Sequence, residues 1–61
     1  MTAESHPLVL LIDDDPDFLE IAELAISNSG YRTATAQSGL AGLKLFQEHE
    51  PDLVVLDLVM P

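Results

Sequence analysis

Three consecutive aspartates, Asp13 to Asp15, follow an apolar run directly, and a further aspartate, Asp57, interrupts a second apolar run. Adjacent carboxylates repel one another, and the sequence offers only two basic residues, Arg32 and Lys44, to offset them. Hard cations prefer carboxylate oxygens as ligands, so an all-oxygen cluster favours Mg²⁺ or Mn²⁺ over zinc. The acidic residues therefore predict a site for a divalent cation.

The hydrophobic pattern predicts three strands separated by two helices. The runs "LVLLI" (8–12) and "LVVLDLV" (53–59) are continuously apolar, which is typical of strands covered on both faces. The run "YRTATA" (31–36) is more polar and fits an edge strand. The intervening segments, 16–29 and 39–50, have the composition and spacing of helices.

Residues that begin or end helices bound these two segments. Asp15 is predicted to cap the first helix, with Pro16 at its first position and Gly30 closing it. Ser38 is predicted to cap the second helix, which must end before Pro51. The ends of both helices are therefore predicted from capping, proline and glycine residues, independently of their hydrophobic faces.

Each helix is predicted to pack one apolar face against the sheet. On the first helix, Leu19 lies at the margin of the face, Leu24 falls on the polar side, and the face itself comprises Phe18, Ile21, Ala22, Ala25 and Ile26. On the second helix, Leu40 and Leu45 fall off the face, which comprises Gly39, Gly42, Leu43 and Phe46.

The polarity of the strands predicts their order in the sheet. Crossovers between parallel strands are right-handed in nearly all proteins, which leaves a sequential order or the order 2-1-3. The polar second strand belongs at an edge, so we predict an α/β sheet of order 2-1-3 with helices on opposite faces. Ligands bind such sheets at the carboxyl ends of the strands, where Asp13, Asp14 and Asp57 would converge.

Composition limits the classes of function. The net charge is −9 over 61 residues, so nucleic-acid phosphates and anionic membrane surfaces would be repelled. The chain has no cysteine, and the sequence shows neither a secretory signal nor the roughly 20 apolar residues of a membrane span. We expect a cytoplasmic protein with a flexible leader over 1–7 and one partial domain over 8–61.

Three segments together resemble a known family. "LLIDDDP", "SGYRTATAQSGLAGLKLF" and "PDLVVLDLVMP" resemble the first half of the receiver domain of two-component response regulators, in the order and spacing of that family. The resemblance implies a flavodoxin-like, doubly wound fold of order 2-1-3-4-5, truncated here after the third strand. It also implies a signalling domain rather than an enzyme, which accepts a phosphoryl group from a histidine kinase or phosphotransfer protein.

The resemblance assigns roles to individual residues. Asp57 would be the phosphoacceptor and would share the Mg²⁺ site. Asp14 would bind Mg²⁺ directly, Asp13 mainly through water, and Val59 through its backbone carbonyl. Two further strands of the family supply a hydroxyl residue and a lysine to the phosphoryl group, and the 61 residues contain neither strand. We therefore expect this chain to be phosphorylated poorly.

Two other classes of function compete with this interpretation. Asp13 and Asp15 form an Asp-x-Asp motif, as in Mg²⁺-dependent, haloacid dehalogenase-like phosphatases and phosphotransferases with an aspartate nucleophile. However, Pro16 and Asp17 follow the motif here, where that family commonly has glycine and threonine. The other class is an interaction module that binds a partner without phosphorylation.

Several other residues have simpler interpretations. Asp15 and Asp17 are expected to serve only the helix N-terminus. His6 and His49 lack partners at metal-ligand spacing and are expected to be solvated. Gly42 is expected to allow close packing, because no glycine-rich phosphate-binding fingerprint surrounds it.

The end of the predicted sheet has a consequence for assembly. In the order 2-1-3, the third strand pairs with the first on one side only, so its other edge is apolar and unpaired. Such an edge is a template for another chain. We therefore predict a homodimer with its contact along 53–59.

Overall fold

The structure is a computed structural model that describes residues 6–56. Its elements alternate between strand and helix, as the sequence predicts. They are β1 (Leu8–Ile12), α1 (Pro16–Asn28), β2 (Arg32–Ala36), α2 (Gly39–His49) and β3 (Leu53–Leu56). The predicted extension of the third strand to residue 59 lies outside the described residues.

The sheet has the predicted order, β2-β1-β3, and both strand pairs are parallel. The ladder between β1 and β2 continues beyond both ends of β1, since the Arg32 N–H donates to the Pro7 carbonyl at 2.9 Å and the Asp13 N–H donates to the Ala36 carbonyl at 3.1 Å. The carboxyl ends of all three strands therefore lie at the same end of the sheet, where Ile12 is opposite both Ala36 and Leu56.

β1 forms the centre of the core, and all five of its residues are buried. Val9 and Leu11 cluster with Leu19 of α1, while Leu10 and Ile12 cluster with Ala36. Successive side chains of a strand point to opposite faces. The two clusters therefore lie on opposite faces of the sheet, one beneath each helix, which confirms the predicted doubly wound architecture.

The predicted helix ends are confirmed. The Asp15 carboxylate accepts hydrogen bonds from two backbone N–H groups of the first turn of α1, and Pro16 is at the first position. The Ser38 hydroxyl accepts a hydrogen bond from the Ala41 N–H at 3.1 Å at the start of α2. Gly30 follows α1 with a φ of +94°, a left-handed conformation that glycine adopts without steric cost.

The predicted face of α1 is wrong in its rotation. Leu19, which the prediction placed at the margin, is buried in the core, and Ala22 and Ile26 pack beside it. Phe18 and Ile21, which the prediction placed on the face, are 43% and 69% exposed. The helix therefore contacts the sheet through positions 19, 22 and 26. Compared with the prediction, the helix is rotated about its own axis, so that the middle of its apolar side does not point directly at the sheet.

The predicted face of α2 is correct for Gly42 and wrong for Leu45. Gly42 is buried against Ile12, and Leu45 packs against the cluster of Leu10, Ile12 and Ala36. Leu43 and Phe46 are about half exposed and line a groove beside β3. α2 therefore packs on β1 and β2 through Gly42 and Leu45, while Leu43 and Phe46 face the groove and are not part of the core.

The predicted burial of the third strand on both faces is wrong for the residues described. Val54 and Val55 are each 38% exposed, and Leu53 and Leu56 are 56% and 62% exposed. Both helices pack over β1 and β2, so neither described helix covers β3.

Asp52 joins the start of β3 to the start of β1, a role that the sequence analysis missed. Its carboxylate accepts a hydrogen bond from the Leu8 N–H at 2.8 Å, and its own N–H donates to the Leu8 carbonyl at 2.9 Å. This pair of bonds satisfies backbone groups that would otherwise lack partners at the start of the sheet.

Neither described helix is long and apolar enough to cross a membrane.

The contact between Gly42 and Ile12 makes a testable prediction. A Cβ atom at residue 42 would overlap the Ile12 side chain, whereas a Cβ at residue 39 would meet open space. We expect Gly42→Ala to lower the free energy of unfolding by about 1–3 kcal/mol, as overpacking does in other cores. Gly39→Ala is the matched control and should be neutral or slightly stabilising. Urea unfolding measures both, and equal effects of the two substitutions would contradict the packing described.

Candidate functional site

Asp13 is the first residue after the central strand and is held there by the backbone. Its N–H donates to the Ala36 carbonyl at the end of β2, and its side chain is only 6% exposed. Burial of a carboxylate is costly without compensating hydrogen bonds or charges. The fold therefore places a buried carboxyl group at the carboxyl end of the central strand.

The Asp13 carboxylate has a fixed orientation. Its Oδ1 accepts a hydrogen bond from the Asp15 N–H at 2.9 Å, a turn in which an aspartate bonds to the backbone two residues later. The intervening residue, Asp14, is exposed. One carboxylate is thus buried and oriented, and its neighbour faces solvent at the same strand end.

The Asp15 side chain caps the N-terminus of α1. Its Oδ1 accepts hydrogen bonds from the Asp17 N–H at 3.0 Å and the Phe18 N–H at 3.4 Å. These bonds confirm Asp15 as the N-cap, and Asp17 lies in the first turn of α1, where the helix dipole favours negative charge. Because the Asp15 carboxylate is turned toward these donors, the geometry gives no support to an Asp13-x-Asp15 catalytic pair.

The third predicted carboxylate lies beyond the part of the chain that the structure describes. Asp57 and Val59 both fall outside residues 6–56. Within those residues, no group of three carboxylate, imidazole or thiolate side chains is placed to hold a metal ion. The structure therefore brings Asp13 and Asp14 together at the carboxyl end of β1.

The register of the sheet nevertheless locates the end of β3. Leu56 is opposite Ile12, the residue before Asp13, and adjacent strands lie about 4.8 Å apart. Asp57 is the residue that follows Leu56 in the sequence. The last described residue of β3, Leu56, thus lies beside Ile12, and the acidic run begins at the next residue, Asp13.

Arg32 lies at the other end of the sheet from the acidic run. It is paired in register with Leu8, and its Nε donates to the His6 carbonyl at 3.0 Å. His6 and His49 are both exposed, as expected. The acidic strand end is thus separated from Arg32 by the length of β1.

The hydrogen bond from the Asp15 N–H to Asp13 is a feature of the site that sequence reasoning missed. The signal was present, since aspartate commonly accepts a hydrogen bond from the backbone two residues later at turns before helices. It assigns different functions to the three consecutive aspartates, because Asp13 orients the turn, Asp15 caps the helix and Asp14 extends into solvent.

Comparison with known proteins identifies the relatives of the chain. Residues 9–61 match the family described as response regulator receiver domain. The chain is 49% identical over 55 residues to the transcriptional regulatory protein AfsQ1 of Streptomyces coelicolor, covering 90% of this chain and 24% of that protein. It is 43% identical over 54 residues to the transcriptional regulatory protein KdpE of Mycobacterium tuberculosis, covering 88% of this chain and 24% of that protein.

A third relative is the transcriptional regulatory protein GlrR of Escherichia coli. It is 42% identical over 52 residues, which are 85% of this chain and 12% of that protein. The chain thus spans less than a quarter of the length of each of these three relatives.

The different hydrogen bonds of Asp14 and Asp15 make a testable prediction about stability without metal. Asp15→Ala removes the acceptor for two N–H groups of α1, so we expect it to lower the free energy of unfolding by about 1 kcal/mol. Asp14→Ala removes an exposed charge between two like charges and should be neutral or slightly stabilising. Urea unfolding in a chelator tests both variants, and a larger loss for Asp14→Ala would contradict the assignment.

Proposed function

The chain belongs to the response regulator receiver domain family, and we propose that it accepts a phosphoryl group on Asp57, with Mg²⁺ held at the acidic strand end. The observation that carries the proposal is the buried, oriented carboxylate of Asp13 beside the exposed carboxylate of Asp14. This pair lies at the carboxyl ends of parallel strands, where open α/β sheets bind ligands.

The described donors fit a hard divalent cation. Carboxylates of Asp13 and Asp14 supply only oxygen, and Mg²⁺ commonly binds one or two carboxylates while keeping several waters. Asp14 is exposed and would bind the ion directly, while Asp13 has one oxygen already engaged with the Asp15 N–H and would act mainly through water. Asp57 and the Val59 carbonyl would complete the site.

The proposed reaction transfers a phosphoryl group from a histidine side chain to the Asp57 carboxylate. A carboxylate oxygen of Asp57 attacks the phosphorus of a phosphohistidine in a histidine kinase or phosphotransfer protein. The P–N bond breaks, its electron pair remains on the imidazole nitrogen, and an acyl phosphate forms on Asp57. Bound Mg²⁺ would neutralise charge on the phosphoryl oxygens, which a chain of net charge −9 would otherwise repel.

The chain's own residues would position these groups. The ladder bond from the Asp13 N–H to the Ala36 carbonyl and the turn bond from the Asp15 N–H fix Asp13 relative to β1 and β2. Pairing of Ile12 with Leu56 fixes the end of β3 relative to Asp13. Alignment of the acceptor with the cation would therefore come from the rigid sheet rather than from a mobile loop.

The role of the whole protein is a further part of this proposal. The names of the three relatives describe transcriptional regulation, and we infer that a longer form of this protein would couple phosphorylation to that process. The acidic segment itself would not contact nucleic acid, because its charge repels phosphate backbones. We also propose a cytoplasmic location, as for a partner of a kinase that uses intracellular phosphoryl donors.

Cation binding is tested by thermal melts with and without millimolar Mg²⁺ or Mn²⁺. We expect an increase in Tm of several degrees, because a ligand that binds only the folded state stabilises it. Asp14→Ala should lose more of this increase than Asp13→Ala. Asp17→Ala is the matched control, since Asp17 is also exposed and belongs to the helix. An unchanged Tm at millimolar cation, or equal losses in all three variants, would contradict the site.

The acceptor is tested by mass mapping after incubation with acetyl phosphate. We expect slow labelling of Asp57 that requires Mg²⁺ and is absent from Asp57→Asn. Asp15→Asn should retain the label, because Asp15 serves the helix. A label on Asp13 that survives Asp57→Asn would instead support the aspartate-nucleophile phosphatase. Absence of Mg²⁺ binding, combined with a stable assembly, would support an interaction module.

A further inference from the structure

Asp52, the residue before β3, makes a two-point contact with the first residue of the central strand. Its carboxylate accepts a hydrogen bond from the Leu8 N–H at 2.8 Å, and its own N–H donates to the Leu8 carbonyl at 2.9 Å. The second bond extends the ladder between β1 and β3, whereas the first uses a side-chain oxygen in place of a backbone carbonyl. One residue therefore holds both backbone hydrogen-bonding groups of Leu8.

The neighbouring residues cannot make the same contact. Pro51 has no backbone N–H, and the Leu53 side chain has no hydrogen-bond acceptor. Glu50 has a carboxylate, but its N–H is already bonded to a carbonyl at the end of α2. The two bonds of Asp52 thus identify a single alignment of β3 with β1, in which Leu56 is opposite Ile12.

The apolar side chains of β3 define this alignment less sharply. Backbone N–H and C=O groups are chemically alike along a strand, so ladder bonds form in any alignment that keeps the same side chains on each face. Leu53 and Val55 line the groove on the α1 face, and Val54 and Leu56 line the groove on the α2 face. A shift of two residues would therefore exchange leucine for valine on each face, a difference of one methylene.

We propose that Asp52 is a positioning residue for the phosphoacceptor, an inference that rests on the proposed function. Its bonds to Leu8 set the alignment in which Leu56 lies beside Ile12, and Asp57 is the next residue along the chain. The start of β3 thereby determines how far along the sheet the acceptor is reached.

The precision that a shared cation requires gives this anchor its importance. A shift of β3 by two residues would move Asp57 by roughly 6.6 Å, from the rise of about 3.3 Å per residue. Two oxygen ligands of one Mg²⁺ ion lie at most about 4.2 Å apart, since each metal–oxygen bond is about 2.1 Å. A carboxylate displaced by more than this separation would not share a cation with Asp13 and Asp14.

Asp52 is too distant from the acidic end to act on the cation by charge. It lies beside Leu8, and Asp13 is roughly 16 Å further along the sheet, from the rise of a strand. Asp52 is exposed, and interactions between exposed charges are largely screened beyond about 8 Å at physiological ionic strength. Its effect on the site would therefore pass through the position of β3.

A double-mutant cycle tests this role through the affinity of the folded chain for Mn²⁺. We expect Asp52→Ala to weaken Mn²⁺ binding about tenfold, as loss of residues that orient metal ligands commonly does. In the Asp57→Ala background, Asp52→Ala should have no further effect, because the ligand that it positions is then absent. A purely structural role would lower the affinity equally in both backgrounds, and that result would overturn the proposal.

Control variants separate hydrogen bonding from charge and from general stability. Asp52→Asn should bind Mn²⁺ as tightly as the unsubstituted chain, because its amide oxygen can still accept from the Leu8 N–H. A loss equal to that of Asp52→Ala would overturn the proposal. Thr33→Val is the matched control, since it removes a 3.1 Å hydrogen bond to Glu23 that joins β2 to α1, and it should leave the affinity unchanged.

The alignment of β3 is measured without metal, which separates this proposal from the proposed function. Cross-strand nuclear Overhauser contacts report the pairing of Leu11 with Val55, and amide exchange reports the protection of the ladder. Both should weaken in Asp52→Ala and persist in Asp52→Asn. If Asp52→Ala does not fold, Asp52→Glu, which keeps the charge and displaces the acceptor by one methylene, should show the same losses at smaller size.

The two measurements fail in different ways. Native contacts and protection in Asp52→Ala would overturn the role of Asp52, whether or not the chain binds a cation. Absence of Mn²⁺ binding by the unsubstituted chain would contradict the proposed function, and the metal-free contacts would still decide whether Asp52 fixes the alignment of β3.

Discussion

Burial of β1 is the constraint on which the rest of the structure depends. All five residues of this strand are buried, a parallel strand pairs with each of its edges, and a helix packs on each face. A shift of one residue would exchange the side chains that face α1 with those that face α2, so the register is strongly specified. Asp13 follows this strand directly, and core packing therefore determines where the first acidic residue lies.

The features that the sequence predicted correctly are those governed by neighbouring residues or by large differences in polarity. Asp15 and Ser38 cap helices because their side-chain oxygens reach backbone N–H groups two or three residues later. The contrast between the polar β2 and the apolar β1 was sufficient to give the strand order. Gly42 was correctly predicted to allow close packing, because the sequence around it lacks the further glycines of a phosphate-binding loop.

The features that the sequence predicted wrongly depend on how whole elements are oriented. Periodicity shows that α1 has an apolar side but does not fix its rotation, which the structure sets so that Leu19 rather than Ile21 enters the core. Composition similarly cannot show what covers a strand, and Leu53 to Leu56 are exposed despite an apolar pattern. Of the predicted ligands, Asp13 and Asp14 lie together at the strand end, while Asp57 and Val59 lie outside residues 6–56.

The central claim is that the acidic carboxyl end of β1 binds a divalent cation, and paramagnetic Mn²⁺ tests it most directly. In a nuclear magnetic resonance titration, substoichiometric Mn²⁺ should broaden the amide resonances of Asp13, Asp14 and Asp15 first. The resonances of Leu8 and Asp52, at the opposite end of the sheet, should remain sharp, and excess Mg²⁺ should reverse the broadening. Broadening centred on Glu20 and Glu23 of α1, or spread evenly over the acidic surface, would contradict the account.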